Sequence, residues 1–93
     1  WTNNVKKVLI VDDEPMNLYV LGSLLTQCNL SFDKAVSGKD AIDLVSCRVE
    51  LNRKNERIPF YKLILLDYSL GDDFDGPDVA RKIRSIVAEA ELP

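Results

Sequence analysis

Short, unbroken apolar runs alternate along this chain with longer stretches in which apolar residues recur at helical spacing. Val8-Leu9-Ile10-Val11 contains no polar residue, as expected of a strand covered on both faces of a parallel sheet, and predicts a first strand over 7–11. Pro15 suits the first turn of a helix, where its missing N–H leaves nothing unpaired, with Asp13 or Glu14 as the cap. Leu18, Leu21, Leu25 and Cys28 fall on one helical stripe, which Val20 and Leu24 widen; the helix should end near 27–29. A short strand follows over 31–36. Ser37 and Asp40 have capping-box spacing and open a second helix with Ala41, Ile42, Val45 and Val49 turned inward. The polar stretch 52–57 is a loop or frayed helix end before Pro59. A third strand occupies 61–66, and an acidic, glycine-containing loop runs over 69–76. Pro77 then opens a third helix along which Val79, Ile83, Ile86 and Ala90 recur.

The resulting βαβαβα order predicts an α/β fold, a doubly wound parallel sheet with helices on both faces. Right-handed crossovers place the first strand between the other two, in order 2-1-3. Two of the three strands run straight into acids, the first into Asp12-Asp13-Glu14 and the third into Asp67. Open α/β sheets bind ligands just outside the carboxyl ends of their strands, so Asp12, Asp13 and Asp67 should meet at one edge. Like charges this close repel unless a cation sits among them or some stay protonated. An all-oxygen cluster suits a hard divalent ion such as Mg²⁺. Helix capping, worth about 0.3–1 kcal/mol, would explain one of Asp12 and Asp13 but gives no reason for both. The chain has no histidine, and both cysteines lie far from the acids, so a zinc site or a histidine-based triad has no material.

Composition narrows the picture further. Ninety-three residues fit one small domain, and 46% hydrophobic with 29% charged residues is an ordinary globular balance. A net charge of −3 gives no electrostatic reason to expect nucleic acid or a lipid surface as partner. More telling is the clustering of Asp12, Asp13, Glu14, Asp67, Asp72, Asp73 and Asp75 in two loop-like segments. No apolar run approaches the roughly 20 residues that span a bilayer, and the opening WTNNVKK is not a signal peptide. Cys28 and Cys47 lie in apolar helical stretches and are expected to pack in the core as free thiols, in keeping with a reducing, cytoplasmic setting. An EF-hand would need an acid at Gly71 and a glutamate at Lys82, so Asp72, Asp73 and Asp75 form a solvated turn instead.

Four segments, VLIVDDEPMN (8–17), SGKDAIDL (37–44), LILLDYSL (63–70) and DGPDVARKIR (75–84), resemble the receiver domain of two-component response regulators. The strand ending in DD-E-P-x-N and the later strand ending in a single Asp are the specific ones. The segments YKLILLDY and DGPDVARKIR are similar to receivers attached to hybrid histidine kinases. The resemblance implies a flavodoxin-like fold with family strand order 2-1-3-4-5. It implies that Asp67 is the phosphoryl acceptor and that Asp12, Asp13 and Asp67 hold Mg²⁺ together with the backbone carbonyl of Ser69. The implied donor is a phosphohistidine on a histidine kinase or a histidine phosphotransfer protein, and the only catalysis implied is self-catalysed aspartyl phosphorylation and dephosphorylation. The setting implied is cytoplasmic, whether alone or as part of a membrane-anchored hybrid kinase.

The chain departs from the family pattern in three places. Leu70-Gly71 stands where a Met-Pro or Leu-Pro pair is common. The loop Asp72-Asp73-Phe74-Asp75-Gly76 is one residue longer than usual. The family's fourth strand, switch hydroxyl, active-site lysine and last two helices would lie beyond Pro93. Residues 1–93 are therefore expected to be a single receiver domain truncated before its fourth strand, with the third strand left at an edge that needs a cover.

Two other functions compete. A haloacid-dehalogenase-type phosphatase needs an Asp two residues after its nucleophile, where Ser69 stands, and carries its acidic pair after the nucleophile rather than before. A degenerate receiver serving as a constitutive interaction module is disfavoured by the intact Asp12, Asp13 and Asp67.

Overall fold

The computed structural model describes residues 7–55, 59–67 and 76–89. Its elements follow the predicted order: β1 (Val8–Val11), α1 (Pro15–Gln27), β2 (Phe32–Ala35), α2 (Gly38–Lys54), β3 (Leu63–Leu66) and α3 (Gly76–Glu89). The strands form a parallel sheet in the order β2-β1-β3, with Val8 opposite Phe32 on one side and opposite Leu63 on the other. This is the order that the segment pattern and right-handed crossovers predict, and it agrees with the flavodoxin-like fold that the resemblance implies.

β1 explains the unbroken apolar run. All four of its residues are buried, because successive side chains point to opposite faces of the sheet and helices cover both. Leu9 and Val11 pack with Ala41, Val45 and Val49 of α2 and Val79 and Ile83 of α3. Val8 and Ile10 pack on the other side against Leu18, Leu21 and Leu25 of α1. Gly22 lets α1 come close to β2, since a Cβ there would meet Phe32 Cζ at 2.7 Å. Among the described residues β3 pairs only with β1 and stands at an edge, with Leu63 exposed.

Several local expectations need correction. Cys28 and Cys47 are free but exposed, not core residues. Cys28 follows the last residue of α1 at its C-cap. Cys47 lies about 200° around the helix from the buried Val45 at about 100° per residue. The same geometry turns Val20 outward relative to Leu18, and Val20 and Leu24 are both exposed instead of widening the inner stripe. The stretch 52–57 begins as helix, since α2 runs to Lys54 and Asn55 closes it with an N–H to the Leu51 carbonyl. The Ser37 cap forms as predicted, its Oγ accepting from the Asp40 N–H at 3.1 Å.

One buried polar assembly has no counterpart in the sequence reading. Arg48, 7% exposed, donates to the Pro59 carbonyl at 3.2 Å and to Asp33 Oδ2 at 3.4 Å. The Tyr61 hydroxyl donates to the same Asp33 oxygen at 2.6 Å, and the guanidinium lies 4.1 Å from the centre of the Tyr61 ring. Burial raises the Tyr61 phenol well above its ordinary pKa, reinforced by the hydrogen bond to Asp33 and by that carboxylate's charge and opposed in part by Arg48. The assembly joins α2, β2 and the segment leading into β3. Its sequence signal was a single polar position, Arg48, in line with Ala41 and Val45 on an otherwise apolar helix stripe.

Candidate metal and acceptor site

The sheet's own ladder positions the acids. The Asp12 N–H donates to the Ala35 carbonyl at 3.1 Å, and the Asp67 N–H donates to the Val11 carbonyl at 3.0 Å. Each acid is thus the first residue beyond its strand and is still held by the neighbouring strand. One carboxylate oxygen from each of Asp12, Asp13 and Asp67 lies within 4.8 Å of the others. Asp12 is buried, Asp13 exposed and Asp67 intermediate, so the cluster opens to solvent on one side. The chain therefore brings Asp12, Asp13 and Asp67 together as the parallel order requires. Ser69 falls outside the described residues, as do Leu70 and the acidic loop 71–75.

Asp12 is the most firmly fixed of the three. Its Oδ1 accepts the Glu14 N–H at 2.9 Å and its Oδ2 accepts the Asn17 side-chain amide at 3.1 Å. Of the two acids that the sequence offers as caps, Glu14 takes the N-cap position of α1 and Asp13 does not. Glu14 makes no side-chain cap bond there, and its own N–H is taken by Asp12.

The donor set fits a hard cation. Mg²⁺ takes oxygen ligands at about 2.0–2.1 Å in near-octahedral geometry, which places ligand oxygens roughly 3–4 Å apart. A cluster of three oxygens within 4.8 Å is close to that spacing, and the exposed Asp13 is free to adjust. Among the described residues no other group of acids, cysteines or histidines meets on this scale.

Comparison with known proteins places the chain in a family. The response regulator receiver domain profile matches residues 8–91, and the chain belongs to that family. It is 33% identical over 87 residues to the hybrid signal transduction histidine kinase L of Dictyostelium discoideum, a match covering 94% of this chain and 5% of that protein. The receiver domain of the histidine kinase CKI1 from Arabidopsis thaliana, solved with Mg²⁺ and BeF₃⁻, superposes with a TM-score of 0.86 at 23% identity, over 95% of this chain and 60% of that one. The N-terminal domain of a response regulator/sensory box/GGDEF 3-domain protein from Carboxydothermus hydrogenoformans gives a TM-score of 0.67 at 27% identity, over 87% of this chain and 57% of that one. The chain thus spans a twentieth of the curated kinase and about three fifths of these solved receivers. Among the described residues no helix is long and apolar enough to cross a membrane.

Proposed function

We propose that this chain is a phosphoryl-accepting switch in a two-component phosphorelay, with Asp67 as acceptor and Mg²⁺ held by Asp12, Asp13, Asp67 and the backbone carbonyl of Ser69. The observation that carries this reading is the meeting of three carboxylate oxygens within 4.8 Å at the carboxyl edge of a receiver-type sheet. A carboxylate is a competent covalent nucleophile. An Asp67 oxygen forms a bond to the phosphorus of a phosphohistidine while the phosphorus–nitrogen bond breaks, and the electron pair of that bond returns to the imidazole. Bound Mg²⁺ supplies the positive charge that offsets an anionic phosphoryl group arriving at an anionic acceptor. The chain's own part is positional, since phosphoryl transfer is largely orientation and electrostatics. Asp67 is held through its N–H by β1, and the open side of the cluster leaves room for a donor.

The donor is a protein that carries phosphohistidine, a histidine kinase or a histidine phosphotransfer protein, in the cytoplasm. Surface chemistry beside the cluster supports a macromolecular donor. Met16, Tyr19 and Val36 are exposed and line one groove with Pro15, Leu18 and Lys34, beside the strand end that carries Asp12. Conversion of Asp67 to an acyl phosphate adds charge and acceptor oxygens, which bias a segment with two arrangements.

The test is transfer of labelled phosphate from a phosphohistidine donor to the full-length protein with Mg²⁺ present. Wild type should acquire a hydroxylamine-labile, acid-stable label, and Asp67→Asn none. Equal labelling of the two would remove Asp67 from the role.

A further inference from the structure

The first turn of α1 carries an exposed side chain that reaches the buried member of the acid cluster. Asn17 is exposed, yet its side-chain amide donates to Oδ2 of the buried Asp12. We infer that Asn17 is a positioning residue, which fixes the plane of the Asp12 carboxylate so that its remaining lone pairs face Asp13 and Asp67. This rests on the reading of Asp12 as a ligand to Mg²⁺.

Rotation of an aspartate about its last torsion is soft, with a broad, roughly two-fold profile. Here both oxygens are engaged, Oδ1 by the Glu14 N–H at 2.9 Å and Oδ2 by the Asn17 amide at 3.1 Å. Two donors on two oxygens hold the carboxylate plane where one would leave it free to turn. An ionised carboxylate offers about four lone-pair sites, so each oxygen keeps capacity for a cation after these bonds. The identity of the amide atom follows from the same inventory. An ionised carboxylate only accepts, so the Asn17 atom facing it must be the nitrogen.

The choice of side chain has a chemical logic. A lysine or arginine at 17 would place beside Asp12 the positive charge that an ion supplies. An aspartate would add a fourth negative group. Asparagine provides a donor of suitable length with no net charge, orienting the ligand without neutralising it. Partners of this kind around metal ligands commonly govern affinity. Because Asn17 is exposed, its removal should leave the fold almost untouched, and the two effects are separable.

The experiment titrates magnesium chloride into the full-length protein by calorimetry and compares wild type, Asn17→Ala and Val20→Ala. Val20 lies one turn further along α1 and is 48% exposed, so it controls for disturbance of the helix. Asn17→Ala should weaken Mg²⁺ binding about tenfold, Val20→Ala should match wild type, and the magnesium-free melting temperatures of all three should agree. Wild-type binding with an unchanged Asn17→Ala overturns the inference alone. Equal weakening in Val20→Ala, or a lowered magnesium-free melt in Asn17→Ala, makes Asn17 a structural residue and overturns it too. Absence of Mg²⁺ binding by wild type overturns this inference together with the metal-site reading beneath it.

Discussion

At the carboxyl edge of the sheet, charges of one sign stand within 4.8 Å of each other. Toward the opposite ends of the strands, Arg48, Asp33 and Tyr61 place unlike and neutral partners in contact, with bonds of 2.6–3.4 Å. Both assemblies join separate elements, yet their energetics are opposed. The Arg48 assembly is held together by its own partners, and removing Asp33 takes from the buried Tyr61 hydroxyl the acceptor to which it donates. The acid cluster is internally repulsive, and removing one member relieves it. Charged residues held by unlike partners and charged residues set against one another are therefore told apart by their surroundings, not by residue type.

That contrast can be broken by substitution. The largest effect on folding should come from Arg48→Ala, which leaves Asp33 with the Tyr61 hydroxyl as its remaining donor, takes the Arg48 donor from the Pro59 carbonyl and removes the cover of the Tyr61 ring. We expect a loss of about 2 kcal/mol, that of hydrogen bonds made by a charged group, a sizeable share of the roughly 5–15 kcal/mol that holds a small domain together. Urea denaturation followed by circular dichroism measures it. A loss below about 1 kcal/mol would reduce the assembly to a surface ion pair.

At the acid cluster the sign should reverse. Without divalent ions Asp13→Asn should stabilise the fold by about 1 kcal/mol, since two unit charges at this range repel by that order in a solvated setting. With Mg²⁺ at about a hundred times its dissociation constant, wild type should gain roughly 2.7 kcal/mol and the variant clearly less. Thermal melts across a magnesium series show both effects, and destabilisation of the magnesium-free variant would contradict the repulsion.

The smallest effect is confined to alkaline pH. Burial holds the Tyr61 phenol protonated in the folded state, so above the unfolded value of about 10 the unfolded chain binds fewer protons than the native one. Stability is then fully present below about pH 10 and falls as pH rises above it. Tyr61→Phe should flatten that decline while costing some stability at neutral pH through loss of the bond to Asp33. Melting temperatures from pH 8 to 11 test this, and parallel curves would assign the decline to other groups.

The fold and the site were not equally legible in the sequence. Strand order 2-1-3 followed from segment order and crossover handedness, and with it the meeting of Asp12, Asp13 and Asp67. The Ser37 cap was legible because it depends on neighbours in sequence. The exposure of Val20, Leu24 and Cys47 was misjudged because apolar character outweighed angular position on the helix. The Arg48 assembly was missed for a different reason. Its contacts with Pro59, Asp33 and Tyr61 link segments distant in sequence, and nothing local marks Arg48 as one of the few arginines that are buried. The role of Asn17 was half visible, since the residue belongs to the DD-E-P-x-N pattern but its contact with Asp12 appears only in three dimensions.

The ladder bonds from Asp12 to Ala35 and from Asp67 to Val11 also bear on the order of events during folding. Asp12 and Asp67 are separated by two crossover connections, and nothing local brings them together. A partly folded chain with only β1, α1 and β2 in place carries the Asp12-Asp13 pair but not the third carboxylate. The full repulsion of three carboxylates therefore exists only where β3 is docked on β1. An ion that binds only the assembled cluster would therefore favour the state in which β3 is docked, a latch on the edge strand rather than on the sheet as a whole.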